Sequence, residues 1–207
     1  MGVNGMTIRN WLVTLVINLA MMHGIAFAET SPTDPEGEAH GAKLYRAGLY
    51  LEALAHWEER AKTGDAGSAF RAGVEYFDAK IVTRDFTKAH DYWTISAEGG
   101  DPRGMTDLAA MYDYGNGVRV DRKRAAELYG RAARKGFPDA MFNIASMLLN
   151  GDGVRRDVVE AYKYYVLANA QGFAAFAGTI MQELEGEMSA EQLADAKRRA
   201  AEFKPEN

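Results

Sequence analysis

SMLLNGDGVRRDVVEAYKYYVLANAQG, from Ser146 to Gly172, decides the fold, because nearly the same pattern occurs 36 residues earlier. There, Ala110 to Gly136 reads AMYDYGNGVRVDRKRAAELYGRAARKG. One further step back, Val74 to Gly100 reads VEYFDAKIVTRDFTKAHDYWTISAEGG. Asp85, Asp121 and Asp157 keep the spacing, as do Ala89, Ala125 and Ala161, then Trp93, Tyr129 and Tyr165, then Gly100, Gly136 and Gly172. A constant period in this range marks a stack of repeated units, each unable to bury its apolar surface alone.

Each copy holds two helical stretches. In the first, such as 102–114, Met105, Leu108, Ala109 and Tyr112 recur at intervals of three and four and form one stripe. The second opens on Asp121, whose carboxylate can accept a free amide at a helix start. Asp157 with Glu160 reads as a capping-box-like pair. Ala125, Leu128, Tyr129 and Ala132 make the second stripe, and Gly136 suits the left-handed end of the helix. Between the helices, Gly115-Asn-Gly117-Val118 and Gly151-Asp-Gly153-Val154 supply the backbone angles of a tight reversal. The fold expected is all-α, a right-handed α/α superhelix of hairpins with a 36-residue period.

Ala140, Ile144, Ala145, Leu148, Gly151, Gly153, Val154, Asp157, Ala161, Tyr164, Tyr165, Ala168 and Gly172, with their counterparts one copy earlier, resemble the Sel-one-like repeat, a relative of the tetratricopeptide repeat. The resemblance covers roughly residues 38 to 185. The copy at 66–101 departs from it, with Ala79 and Ile81 where the turn glycines belong. The first unit departs further. Ala47-Gly48 is a short turn, yet Ala53, His56 and Trp57 stay in register with Ala89, Tyr92 and Trp93. Ala174 to Leu184 begins a fifth copy that Glu185-Gly186-Glu187 is expected to break. Ser189 and Gln192 then make a capping box for a closing helix with Leu193, Ala196, Ala200 and Phe203 on one face.

The first 28 of the 207 residues differ from the rest. Arg9 is their one charged side chain, Trp11 to Met22 is apolar apart from Thr14 and Asn18, and Ala26-Phe27-Ala28 precedes Glu29. This is the pattern of a secretory signal cut after Ala28; the alternative is a retained anchor, for which the apolar run is short. Residues 29–37 read as a disordered acidic leader, 38–188 as the repeats, and 189–207 as a capping helix and tail. The expected location is the periplasm or the exterior, with no stable membrane span after cleavage. Removing residues 1–28 takes away one of 24 basic residues and none of 29 acidic ones, for a net charge of −6. That balance argues against nucleic acid as a partner. With no cysteine, no disulfide framework is available.

Chemistry is sparse. The three histidines after the signal, His40, His56 and His90, form no His-Glu-x-x-His motif, and no cofactor or metal is expected. His56 occupies a packing position and His90 is expected to be exposed. Asn150-Gly-Asp152-Gly153 lacks the ligands of a calcium loop. The recurring aspartates read as caps, and Trp57, Trp93, Tyr129 and Tyr165 as inter-repeat core. What remains is a face of the first helices where identity changes from copy to copy. One row is Arg71, Asp107 and Asn143; another, seven residues on, is Asp78, Tyr114 and Asn150. These side chains either contact a partner or simply solvate a groove. The family resemblance implies the former: an exported scaffold or adaptor, not an enzyme, that grips a segment of a partner protein in envelope regulation, assembly or secretion. Two alternatives are weak hydrolysis, as in a cysteine-rich branch associated with penicillin binding and β-lactamase activity, and peptidoglycan or glycan binding.

Overall fold

The computed structural model describes residues 35–206, the side chains of 35 and 173–176 excepted. The expected signal, its cut after Ala28 and most of the expected leader lie outside those residues. Ten α-helices and no strand occur among them: α1 (Pro35–Arg46), α2 (Tyr50–Lys62), α3 (Ala66–Asp78), α4 (Phe86–Glu98), α5 (Pro102–Tyr114), α6 (Arg122–Arg134), α7 (Pro138–Asn150), α8 (Val158–Ala168), α9 (Ala174–Glu187) and α10 (Ala190–Ala201). From α1 to α8 consecutive helices pack as antiparallel hairpins, each hairpin stacked on the next, and α9 and α10 both pack on α8. The first helices α1, α3, α5 and α7 also touch one another in series. The chain is an α/α solenoid, as the period predicts.

The second helices begin where the aspartates predict. Asp85 accepts from the Lys88 amide, Asp121 from that of Arg124, and Asp157 from those of Val159 and Glu160. Only half of the Asp157–Glu160 pair forms, however. Glu160 turns to Lys163 at 2.7 Å and Arg199 at 3.3 Å, and the Asp157 amide donates to the Leu148 carbonyl at 2.9 Å. That last bond recurs as Asp85 to Tyr76 and Asp121 to Tyr112, so the loop itself satisfies the amide a glutamate would otherwise take. At Ser189 both halves of the capping box are present.

The turn glycines have two separate duties. Gly115 and Gly151 end their helices left-handed, at φ 76° and 78°. Gly117 and Gly153 are also left-handed and lie against the preceding unit; a Cβ there would strike Phe86 and the Arg122 backbone respectively. In the degenerate copy Ala79 keeps the left-handed angle, at φ 60°, which costs about 1–2 kcal/mol for a residue with a Cβ. Ile81 is free of the second duty because the first unit's turn is short; it packs on the cluster of Ala53, Leu54, Trp57, Ala72, Tyr76 and Ala89.

Three other boundaries move. Residues 35–37, expected in the leader, form the first turn of α1. Glu185-Gly186-Glu187 does not break α9, which runs on to Glu187; the interruption lies earlier, at a kink where Gln171 and Gly172 leave helical backbone angles. His90 is half-buried rather than exposed, with Nε2 3.0 Å from the Tyr112 hydroxyl. His56 packs as expected, bonding the Gly37 carbonyl at 2.9 Å.

The core is a row of small residues facing aromatics. Trp57 and Trp93 each donate an indole N–H across the hairpin, to the carbonyls of Glu38 and Phe70, at 3.3 Å. Gly41 and Gly73 lie under those indoles, and a Cβ on either glycine would collide with the ring. One and two copies later the aromatics are Tyr129 and Tyr165, 1% and 0% exposed, and the position of Gly73 is held by Ala109 and then Ala145. A narrower ring thus accompanies a methyl group, and the sum of volumes is kept.

Candidate functional site

The six variable positions lie on α3, α5 and α7, the central run of adjacent first helices. Their environments differ. Arg71 is held by Glu38 of α1, Nε to Oε1 at 2.7 Å. Asp78 pairs with Lys80 at 2.8 Å. Tyr114 is 37% exposed, one of the few large apolar side chains at the surface. Asn143 is half-buried and Asn150 exposed. Asp107 is half-buried, and its pKa is pushed up to about 8, first by loss of hydration and then by the carboxylates of Asp139, Asp78 and Asp101; Arg103 offsets part of this.

Two groups of residues that sequence reasoning missed complete this face. The first is an ionic brace. The Arg103 guanidinium meets both oxygens of Glu38 at 2.8 Å and the Asp101 carboxylate at 2.7 Å, and lies 4.5 Å over the Phe70 ring. Burial raises the pKa of Glu38, but Arg103 and Arg71 outweigh it and hold the carboxyl below its usual range. Glu38 therefore ties α1 to α3 and α5. The second group is acidic. Asp139, in the first turn of α7, is pushed up to about 6 by burial, and one of its oxygens is buried without a hydrogen-bond partner. The Tyr129 hydroxyl is also buried without a partner. Its pKa stands well above the usual value, through burial first and then through Tyr114, Asp113, Asp107 and Asp139 around it. Aligning the copies offers one signal for Asp139: it stands 36 residues after Arg103, a reversal of charge. Tyr129 gave none, since an aromatic at that position is core in every copy.

No nucleophile–base pair emerges on this face. Among the described residues no group of three or more histidine, aspartate or glutamate side chains could hold a metal ion. None of their helices is long and apolar enough to cross a membrane.

Stacked α-hairpins with a repeated aromatic–small core and a non-repeating first-helix face define a helical-repeat scaffold. The Sel1 repeat model matches residues 66–101, 102–137 and 138–173, the same three units that the period delimits, and the chain belongs to the Sel1 repeat family. A solved Sel1 repeat protein from Oxalobacter formigenes is 32% identical, with a TM-score of 0.57; the match covers 63% of this chain and 97% of that one. A protective antigen of uropathogenic Escherichia coli with an SLR fold matches at 24% identity and a TM-score of 0.67. That match covers 74% of this chain, which spans only 33% of the antigen's length. Comparison with curated proteins gives no match. Sel1 repeats commonly serve as protein–protein interaction scaffolds.

Proposed function

We propose that this protein is an exported scaffold whose first helices form a groove gripping a segment of a partner protein, in envelope regulation, assembly or secretion. One observation carries the reading. The positions that pack repeat in chemistry from copy to copy, as in Ala72, Leu108 and Ile144, all buried. The neighbouring positions outside that stripe do not: Arg71, Asp107 and Asn143, then Asp78, Tyr114 and Asn150. Packing demands an apolar side chain in every unit; Arg71 and Asp78 also answer ion pairs inside the stack, but Tyr114 and Asn150 hold none, and contact with a partner gives them a reason to differ.

Tyr114 and Asn150 are the cleanest probes, because neither holds an ion pair and both reach the surface. Arg71 is a poor one, since Arg71→Glu would set two carboxylates side by side at Glu38. Tyr114→Ala with Asn150→Ala is expected to abolish in-cell cross-linking to the partner while shifting Tm by no more than a degree or two, a surface-substitution effect. Full capture by the double variant overturns the assignment. Export is supported by the sequence pattern at 1–28; a fusion of those residues to a reporter active only outside the cytoplasm should be active, and an inactive fusion counts against it.

A further inference from the structure

Resting on the groove reading, we propose that Asp107 and Asp139, with the hydroxyl of Tyr129, form a pocket for one basic side chain, lysine or arginine, of the bound segment. The stack supplies its own template for the geometry. Arg71 and Arg103 converge on a single group, the Glu38 carboxylate, at 2.7 and 2.8 Å. Asp107 and Asp139 occupy the same two positions one repeat later. Two side chains at these positions of adjacent first helices can therefore close on one ion of opposite charge. In the earlier unit the chain provides that ion itself. In the later one the charges are reversed, and among the described residues no cation answers them. The nearest, Arg103, is committed to Glu38 and Asp101.

The tyrosine is an independent observation. Trp57 and Trp93, its counterparts, spend their polar atoms on main-chain carbonyls of the paired first helix. Tyr129 is 1% exposed, and its hydroxyl has no hydrogen-bond partner; Tyr114, Asp113, Asp107 and Asp139 are the charged and polar groups that act on it. A buried hydroxyl and a buried carboxylate oxygen without partners carry a desolvation penalty that a donor-rich ligand would remove. Lysine ammonium and arginine guanidinium offer only donors and a full charge, which matches two carboxylates and a hydroxyl. The groups facing Asp107 are Asp78 of α3, Asp101 at the N-cap of α5, Arg103 of α5 itself, Tyr129 of α6 and Asp139 of α7. Three of the five are acids, so a cation entering here is drawn in. It would also displace the proton that Asp107 retains in the empty pocket, which makes binding depend on pH.

The probe is acetyl-arginine methylamide, titrated into the protein and followed by amide and side-chain NMR shifts, with the citrulline analogue, neutral and of the same shape, as control. Saturable shifts at Asp107, Asp139 and Tyr129 are expected with arginine and none with citrulline. Affinity should fall toward about tenfold per pH unit as the solution is acidified below about pH 8. Asp107→Asn and Asp139→Asn should each weaken binding about tenfold or more, and Tyr129→Phe less. Asp107→Asn should also raise Tm, so that its loss of binding is not a loss of fold. No shift with arginine, an equal response to citrulline, or an affinity indifferent to pH or to both aspartate variants overturns the pocket. If the natural partner is still captured by the two Asn variants but not by the Tyr114/Asn150 variant, the pocket is wrong and the groove stands. If all these variants capture it equally, both fail.

Discussion

One methyl group separates the second unit of the stack from the third. Gly73 lies under the Trp93 indole, whereas one repeat later the equivalent pair is Ala109 and the narrower Tyr129. Gly73→Ala is therefore expected to destabilise by about 1–2 kcal/mol, since overpacking against a buried ring outweighs the gain in helix propensity. Adding Trp93→Tyr should recover much of that loss, and denaturant unfolding of the four members of the cycle measures the coupling. Asp107 allows a second test. Its folded pKa, about 8, lies above the unfolded value of about 4. The native state then holds a proton that the unfolded chain gives up, so stability falls as pH rises from about 4 to 8 and levels off beyond. Asp107→Asn removes that slope, and its Tm advantage over wild type should widen across the same range; a constant difference would refute the shift. The residue scale is also where the sequence was least transparent. Asp107 stood out because its row varies. Asp139 and Tyr129 did not, because hydrogen-bond satisfaction is a property of neighbours in space, and an aromatic in register looks like core whether or not its hydroxyl has a partner.

At the scale of elements, helices and caps were legible because they rest on local rules. The first and second helices of the repeats follow apolar stripes and N-cap aspartates, and 102–114 was read to the residue. The failures came where tertiary contacts override local signals. Residues 35–37 look like a polar leader, but Gly37 fits closely beside Arg60 and Asp65, and its carbonyl accepts from His56. The helix over 174–187 tolerates Gly186 because Leu184, buried, and Glu185, bonded to the Tyr162 hydroxyl at 2.5 Å, anchor its end. The docking of α1 is the element-level prediction. Glu38→Gln leaves Arg71 and Arg103 facing each other with little compensation. A loss of about 2 kcal/mol is expected, below the range for a fully buried pair because Arg71 is partly exposed. It should appear as faster amide exchange in α1 while α7 and α8 stay protected. Because Glu38 is held below its usual pKa, the brace contributes fully above the unfolded carboxyl pKa of about 4 and is lost as pH falls through the folded value.

At the scale of the whole molecule, the described helices form a one-dimensional stack, and the ends of such a stack need covers. At the C-terminal end α10 lies on α8, burying Ala196 and Ala200, while Arg199 and Lys197 reach Glu160 and Glu185 at 3.3 Å. The tail then returns to the third unit, where the Glu206 amide donates to the Arg134 carbonyl at 2.9 Å. Truncation after residue 188 should therefore loosen α7 and α8 first and leave α3 to α6 protected in hydrogen exchange; uniform loosening would show that the stack melts as one body. The period made this architecture visible before any contact was known, whereas the chemistry of the first-helix face had to await the spatial pairing of adjacent units. The Glu38 brace has a last consequence, for timing. It joins residues 65 apart in the chain. At synthesis rates of roughly 5–20 residues per second, its second half arrives about 3–13 s after its first. Until that guanidinium, two hairpins downstream, is in place, α1 is held by its neighbours without its latch, so α1 is the repeat helix most open to proteases while the stack assembles.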